Sequence, residues 1–164
     1  MRIEIDQSGK IENTNRPTVV AFCNSKQGAV IVLSREKKLI QKFFRQINKP
    51  RLFAYLGFTA LVYLLVKDHI RNRDQIIIDR EYPGFEKFIK HKLKEIINEN
   101  KKIKDIDVSI SQIGKKSQAH IIAYDGLVQR SKVKIKKVFA RDVIRIVKKN
   151  LGYLSEDKSK SGSA

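Results

Sequence analysis

Acidic residues are scarce in this chain. Its 164 residues hold 17 Asp+Glu against 35 Lys+Arg, a formal net charge of +18. That excess is large for one domain and favours a polyanionic partner, most simply nucleic acid, with an anionic membrane surface as the competitor. A thermophile-like bias would raise Glu along with Lys, and Glu does not keep pace here. Cysteine is nearly absent, with Cys23 standing alone. A single thiol excludes an intramolecular disulfide and a thiolate metal cluster, so the chain reads as intracellular, in the cytoplasm. No Cys/His spacing suits zinc, and no Ser/His/Asp order suggests acyl transfer. Long apolar runs are also lacking. The longest, Leu52 to Val66 between Arg51 and Lys67, falls short of the roughly 20 residues that span a bilayer. It reads as a central core helix, and no stable membrane insertion is expected. The start is charged from Arg2 and alternates, unlike a signal peptide.

What is present is a core. Hydrophobic residues make up 41% of the chain, enough to bury one ordinary domain over residues 1–152, with 153–164 expected as a disordered tail. Arg2 to Asp6 alternates as a strand before the turn Gln7-Ser8-Gly9-Lys10. Thr18 to Cys23 and Ala29 to Leu33 are two further strands joined by a five-residue turn, which implies an antiparallel meander. Ser34 is a plausible cap for a helix carrying Leu39, Ile40, Phe43, Phe44 and Ile47, which Pro50 breaks. A second helix runs from about Arg51 to His69. Ile76-Ile77-Ile78 is a fourth strand covered on both faces, running into Asp79, Arg80 and Glu81 before Pro83 ends it. Pro83 suits the first turn of a helix lined by Phe85, Phe88, Ile89, Leu93, Ile96 and Ile97. Asn98 to Lys104 reads as a polar link, Asp105 to Ile113 as a fifth strand, and Ser117 as the cap of a helix through Leu127. A last helix is expected from about Lys136 to Asn150.

This order, three strands and then strands separated by helices, describes an α/β domain with a mixed five-stranded sheet. Right-handed crossovers lay the fourth strand parallel to the first. Asp6 and Asp79 then lie at the carboxyl ends of neighbouring strands, where open α/β sheets place their ligands. Carboxylates at such an edge repel, and a divalent ion relieves the repulsion; Mg2+ is held by one or two carboxylates plus phosphate oxygens. The bland alternative is a pair of strand-end acids making turn hydrogen bonds. If the fourth strand bends at Arg80, only one of Asp79 and Glu81 enters the site, and Asp79 is preferred. A separation beyond about 8 Å between the Asp6 and Asp79 carboxylates excludes a shared two-metal site.

With Ile5-Asp6-Gln7-Ser8-Gly9 on the first strand, Asp79 or Glu81 on the fourth, and Gly114 to Ala123 leading a later helix, residues 1–150 resemble the ribonuclease H-like superfamily of nucleases, resolvases and transposases. The resemblance implies a first sheet section of three antiparallel strands, with the fourth and fifth parallel to the first. It implies Mg2+ or Mn2+ bound by Asp6, Asp79, Glu81 and a ligand on the later helix. His120 is the first candidate there, Asp125 the second and Asp142 the third. The chain departs from the pattern in placing two helices before the fourth strand, and Glu36 is the one acid available for the place on the first helix. The catalytic set implied is Asp6, Asp79, Glu81 and His120. The implied activity is two-metal phosphodiester hydrolysis of structured or hybrid nucleic acid. A catalytically inactive binding module with the same fold is the alternative.

Backbone contacts are expected from Lys10, Lys115, Lys116, Arg130, Lys132, Lys134, Lys136 and Lys137. Such residues give salt-dependent affinity and little sequence reading. Gly114-Lys115-Lys116-Ser117 is not a nucleotide-triphosphate loop, because Ser109 stands where its first glycine belongs. A homodimer is left open.

Overall fold

The computed structural model describes residues 1–153; the disordered tail expected over 153–164 lies outside them from residue 154 on. The order is β1 (Arg2–Ser8), β2 (Thr18–Cys23), β3 (Gln27–Val32), α1 (Ser34–Gln46), α2 (Leu52–Val66), β4 (Gln75–Asp79), α3 (Glu86–Lys101), β5 (Asp107–Ser111), α4 (Gln118–Leu127), β6 (Ile135–Lys137) and α5 (Ala140–Asn150). The strands form one mixed sheet in the order β5-β4-β1-β2-β3-β6. β1 pairs antiparallel with β2, and β2 with β3. β4 is parallel to β1, β5 to β4 and β6 to β3. β2 is therefore the one strand running against the rest, and five carboxyl ends share an edge.

The two faces are unequal. Ile3, Ile5, Val20, Phe22, Val30, Val32, Ile76, Ile78 and Val108 alternate onto one face and build the main core with α1, α2, α3 and α5. α2 supplies Leu56, Phe58, Ala60, Leu61, Val62 and Val66. It is apolar all round because neighbours cover it on several sides, as a central helix requires. No helix of the described residues is long and apolar enough to cross a membrane. Among the described residues the opposite face is covered by α4 alone, through Ala119, Ile122 and Ala123 against Val19, Ala21 and Ala29.

Five sequence expectations need correction. The sheet has six strands, not five. β6 lies within the basic run, where the backbone of Ile135–Lys137 finds partners on the open side of β3. The last helix accordingly begins at Ala140 rather than near Lys136. α3 begins at Glu86, not at Pro83, because Gly84 takes a left-handed φ of 89° that no helix can include. It also runs on through Asn98–Lys101, where a link was expected, and stops at left-handed Lys102. Ser34 makes no cap; the cap position is Leu33, with no side-chain bond. Ser117 does cap α4, accepting the Ala119 N–H at 3.2 Å.

Candidate metal centre

β1 and β4 are in register from Arg2↔Gln75 to Ile5↔Ile78. The next residues along are Asp6 and Asp79. Since Ile5 and Ile78 face the main core, strand alternation turns both acids to the α4 face. Glu81 shares their parity. β4 ends at Asp79, yet the chain keeps its course for one further ladder bond, Arg80 N–H to Ser111 O at 3.1 Å. Both acids of this stretch therefore enter, since the chain does not take the bend at Arg80 that would have admitted only one. Asp6, Asp79 and Glu81 each offer a carboxylate oxygen within 4.8 Å of the others, inside the limit set for a shared site.

Each acid is held differently. Asp6 is 2% exposed. Its Oδ1 accepts the Gln7 N–H at 2.7 Å, and its Oδ2 lies 2.7 Å from His120 Nδ1. Burial raises its pKa, while the bonds from Gln7 and His120 oppose the rise and the Asp79 charge adds to it. Asp79 is half-buried, and its Oδ1 accepts the Ile113 N–H at 2.7 Å. Glu81 is also half-buried. Burial, then the charges of Asp6 and Asp79, push its carboxyl up to about 7, with Gln7 and Lys10 pulling it back. Three carboxylates crowded this closely are a poor electrostatic arrangement without a cation. Their all-oxygen donor set suits a hard ion such as Mg2+ or Mn2+.

α4 brings His120 to Asp6 by lying close to the sheet. A Cβ at Gly126 would come within 2.9 Å of Ile135 Cδ1 and 3.0 Å of Val19 Cγ1, so glycine is needed for the approach. At the other end of α4, Ser117 Oγ donates to Glu4 Oε2 at 3.1 Å. His120 thus reaches the cluster as the holder of Asp6 rather than as a member of the group whose ligand atoms meet. Asp125 does not join that group. It follows His120 by five residues, about 140° further round the helix at 3.6 residues per turn. The reserve candidates lie elsewhere: Asp142 accepts the Phe139 N–H at 3.3 Å, and Glu36 the Ala140 N–H at 2.8 Å, both at the start of α5.

Residues not foreseen complete the surroundings. The Tyr82 hydroxyl accepts from Gln7 Nε2 at 3.1 Å and reaches Glu12 Oε2 at 3.2 Å. Burial raises its pKa and keeps it a neutral phenol. Lys37 is fully buried and donates to the carbonyls of Lys10, Asn13 and Arg16 at 3.0, 2.5 and 2.7 Å. Burial pulls its pKa down to about 8, while the three acceptors match the three N–H bonds of an ammonium. Lys37 so pins the β1–β2 loop that carries Lys10 and Glu12 beside the acids. The sequence signal was a lone lysine at an apolar helical position, next to Ile40 and Phe44 on the same face.

The basic candidates divide. Lys10 sits 5.9 Å from the Tyr82 ring centroid. Lys115 and Lys116 are exposed in the turn after β5, the turn that supplies Ile113 to Asp79. These three flank the acids. Arg130, Lys132 and Lys134 are exposed on the link from α4 to β6, and Lys136 and Lys137 on β6 itself. β6 is the third strand along from β1, about 14 Å away at ordinary strand spacing. The chain matches no protein-family model, no curated protein and no solved structure.

Proposed function

We propose that this protein is a divalent-metal-dependent nuclease with a ribonuclease H-like fold, acting on structured or hybrid nucleic acid. The observation that carries the reading is the meeting of Asp6, Asp79 and Glu81 within 4.8 Å at the carboxyl edge of the sheet. The order β5-β4-β1-β2-β3, with β2 alone reversed, supports it as the arrangement the resemblance implies. Mg2+ or Mn2+, as a pair in the two-metal reading, would supply an activated water and neutralise charge developing on the phosphodiester. The chain's own part is positional. The Gln7 N–H and His120 fix the two oxygens of Asp6, and the Ile113 N–H fixes one oxygen of Asp79. Glu81, whose carboxyl burial and the neighbouring acids push up to about 7, would release its proton on becoming a ligand. Lys10, Lys115 and Lys116 hold backbone phosphates beside the acids, with little sequence preference.

The deciding experiment is a cleavage screen over duplex, hybrid, single-stranded and four-way-junction substrates with Mg2+ and Mn2+, using wild type and Asp6→Asn. Metal-dependent cleavage lost in Asp6→Asn supports the reading; cleavage unchanged in that variant sinks the assigned mechanism. A second reading, a binding module without chemistry, is favoured by one observation. His120 occupies Asp6 Oδ2, and among the described residues no fourth acid joins the cluster. That reading expects salt-sensitive binding and no cleavage in either metal.

A further inference from the structure

Away from the acids, a cavity of about 240 Å3 opens between the end of α2, β6 and the start of α5. Lys67, Lys136, Lys137 and Arg141 line it, with Val30, Leu64, Val138 and Phe139 as apolar walls. Lys136 pairs with Val30, whose side chain faces the α2 side of the sheet. The Arg141 guanidinium lies 5.0 Å from the Phe139 ring centroid, which holds it beside the cavity wall. Among the described residues none of these four cations forms an ion pair. The acids close by are already engaged. Asp142, also on the lining, accepts the Phe139 N–H, and Glu36 accepts the Ala140 N–H. Both carboxylates serve the first turn of α5; Asp142 keeps its charge on the lining, where the cations outnumber it.

Like charges gathered round a concave space focus a positive potential and draw in an anion. Ammonium and guanidinium groups together suit a phosphate, which takes charge-assisted bonds from both. We propose that this cavity is a second phosphate-binding site, taking the backbone of the nucleic acid on which the acid cluster acts; it rests on the nuclease reading above. Arg130, Lys132 and Lys134 lie on the link leading into β6. They continue the cationic surface as a track, the form a linear polyanion fits, rather than as one flat face. The acids face α4 and the cavity faces α2, so the nucleic-acid backbone would pass from one to the other round the β6 edge, along this link.

The test is binding without catalysis. Fluorescence anisotropy with a labelled 20-nucleotide single strand and its duplex, in EDTA, is read for the full chain from about 50 to 300 mM KCl. The variants are the triple K67Q/K136Q/R141Q and, separately, Asp6→Asn. Each lost phosphate contact lowers the slope of log K against log[salt] by about 0.9 on duplex, so the triple variant is expected to lose about 2–3 and Asp6→Asn nothing. Circular dichroism melts report folding; if the triple variant is unfolded, K67Q and R141Q singly are each expected to lose about 0.9. Wild-type binding with an unchanged slope in the folded variants overturns the cavity and leaves the nuclease reading standing. No binding by wild type overturns both. Binding of wild type to phosphatidylserine vesicles that is lost in the triple variant and not displaced by oligonucleotide assigns the cavity to a lipid surface and overturns the proposal.

Discussion

The acidic corner and the basic edge of this sheet are opposites in construction. At the corner, Asp6 is almost wholly buried and both its oxygens are spoken for, while Asp79 is tied to the backbone of the β5–α4 turn. At the edge, Lys136, Lys137 and Arg141 are exposed and lack carboxylate partners among the described residues. A reaction needs groups fixed to fractions of an ångström, and only backbone N–H groups and packed helices supply that. Affinity for a polyanion needs charge at roughly the right place, and flexible side chains in water suffice. The same chain thus invests its packing in a few carboxylates and leaves most of its cations loose.

The sharpest break between the two regions is Asp6→Asn. It is expected to lower metal-dependent cleavage by at least ~10³-fold while leaving EDTA-phase binding unchanged; a comparable loss of binding would show that the corner also anchors substrate. His120→Ala is next. Freeing Asp6 Oδ2 is expected to weaken metal affinity about 10–100-fold, read by isothermal titration with Mn2+. An unaltered affinity would reduce the His120 contact to packing. Lys115→Gln with Lys116→Gln tests whether the lysines beside the corner behave like those at the edge. Together they are expected to lower the duplex salt slope by about 1.8 with no change in metal affinity.

The smallest expected effect is on stability. Glu81 has its folded pKa raised to about 7 from an ordinary 4.5. Between those values the folded state binds more protons than the unfolded one, so metal-free stability falls as pH rises from about 4.5 through about 7. Glu81→Gln should remove that slope and raise the metal-free Tm near pH 7.5 by about 2–4 °C, the shift that ~1 kcal/mol produces in a domain of this size. Saturating Mn2+ should reverse the ranking, leaving wild type the more stable. A Tm independent of pH in metal-free wild type would mean that the three carboxylates do not crowd one another.

Much of the architecture was legible because it rests on local pattern. Period-two alternation in Arg2–Asp6 and Thr18–Cys23, and helical spacing in Leu39–Ile47 and Phe85–Ile97, follow from the backbone repeat itself. β6 was not legible, since three residues carry too little period to outweigh a basic composition, and their strand state depends on an open edge of β3. The start of α3 was misplaced for a related reason. Pro83 signals a helix start, but the left-handed Gly84 defers it, and a φ angle is not written in a residue type that permits both signs.

Of the acid corner, residue identity determined Asp79 as a strand-end carboxylate, because a run of β-branched residues followed by an acid and Pro83 marks a strand's end; Asp6, expected to close β1 before a turn at Gln7, is instead buried within a strand that runs on to Ser8. Strand parity put Glu81 on their side only if the chain kept its course past Asp79, and that was decided by the ladder bond from Arg80 to Ser111. The role of His120 was decided by the tertiary structure alone. A helix-surface histidine 114 positions from Asp6 becomes its partner only because α4 packs on small residues, Ala21, Ala29, Ala119 and Ala123, against the sheet. The charge excess could be counted from composition. That its cations divide between the acid corner and a cavity three strands away follows from strand order, which long-range hydrogen bonding sets and no local pattern records.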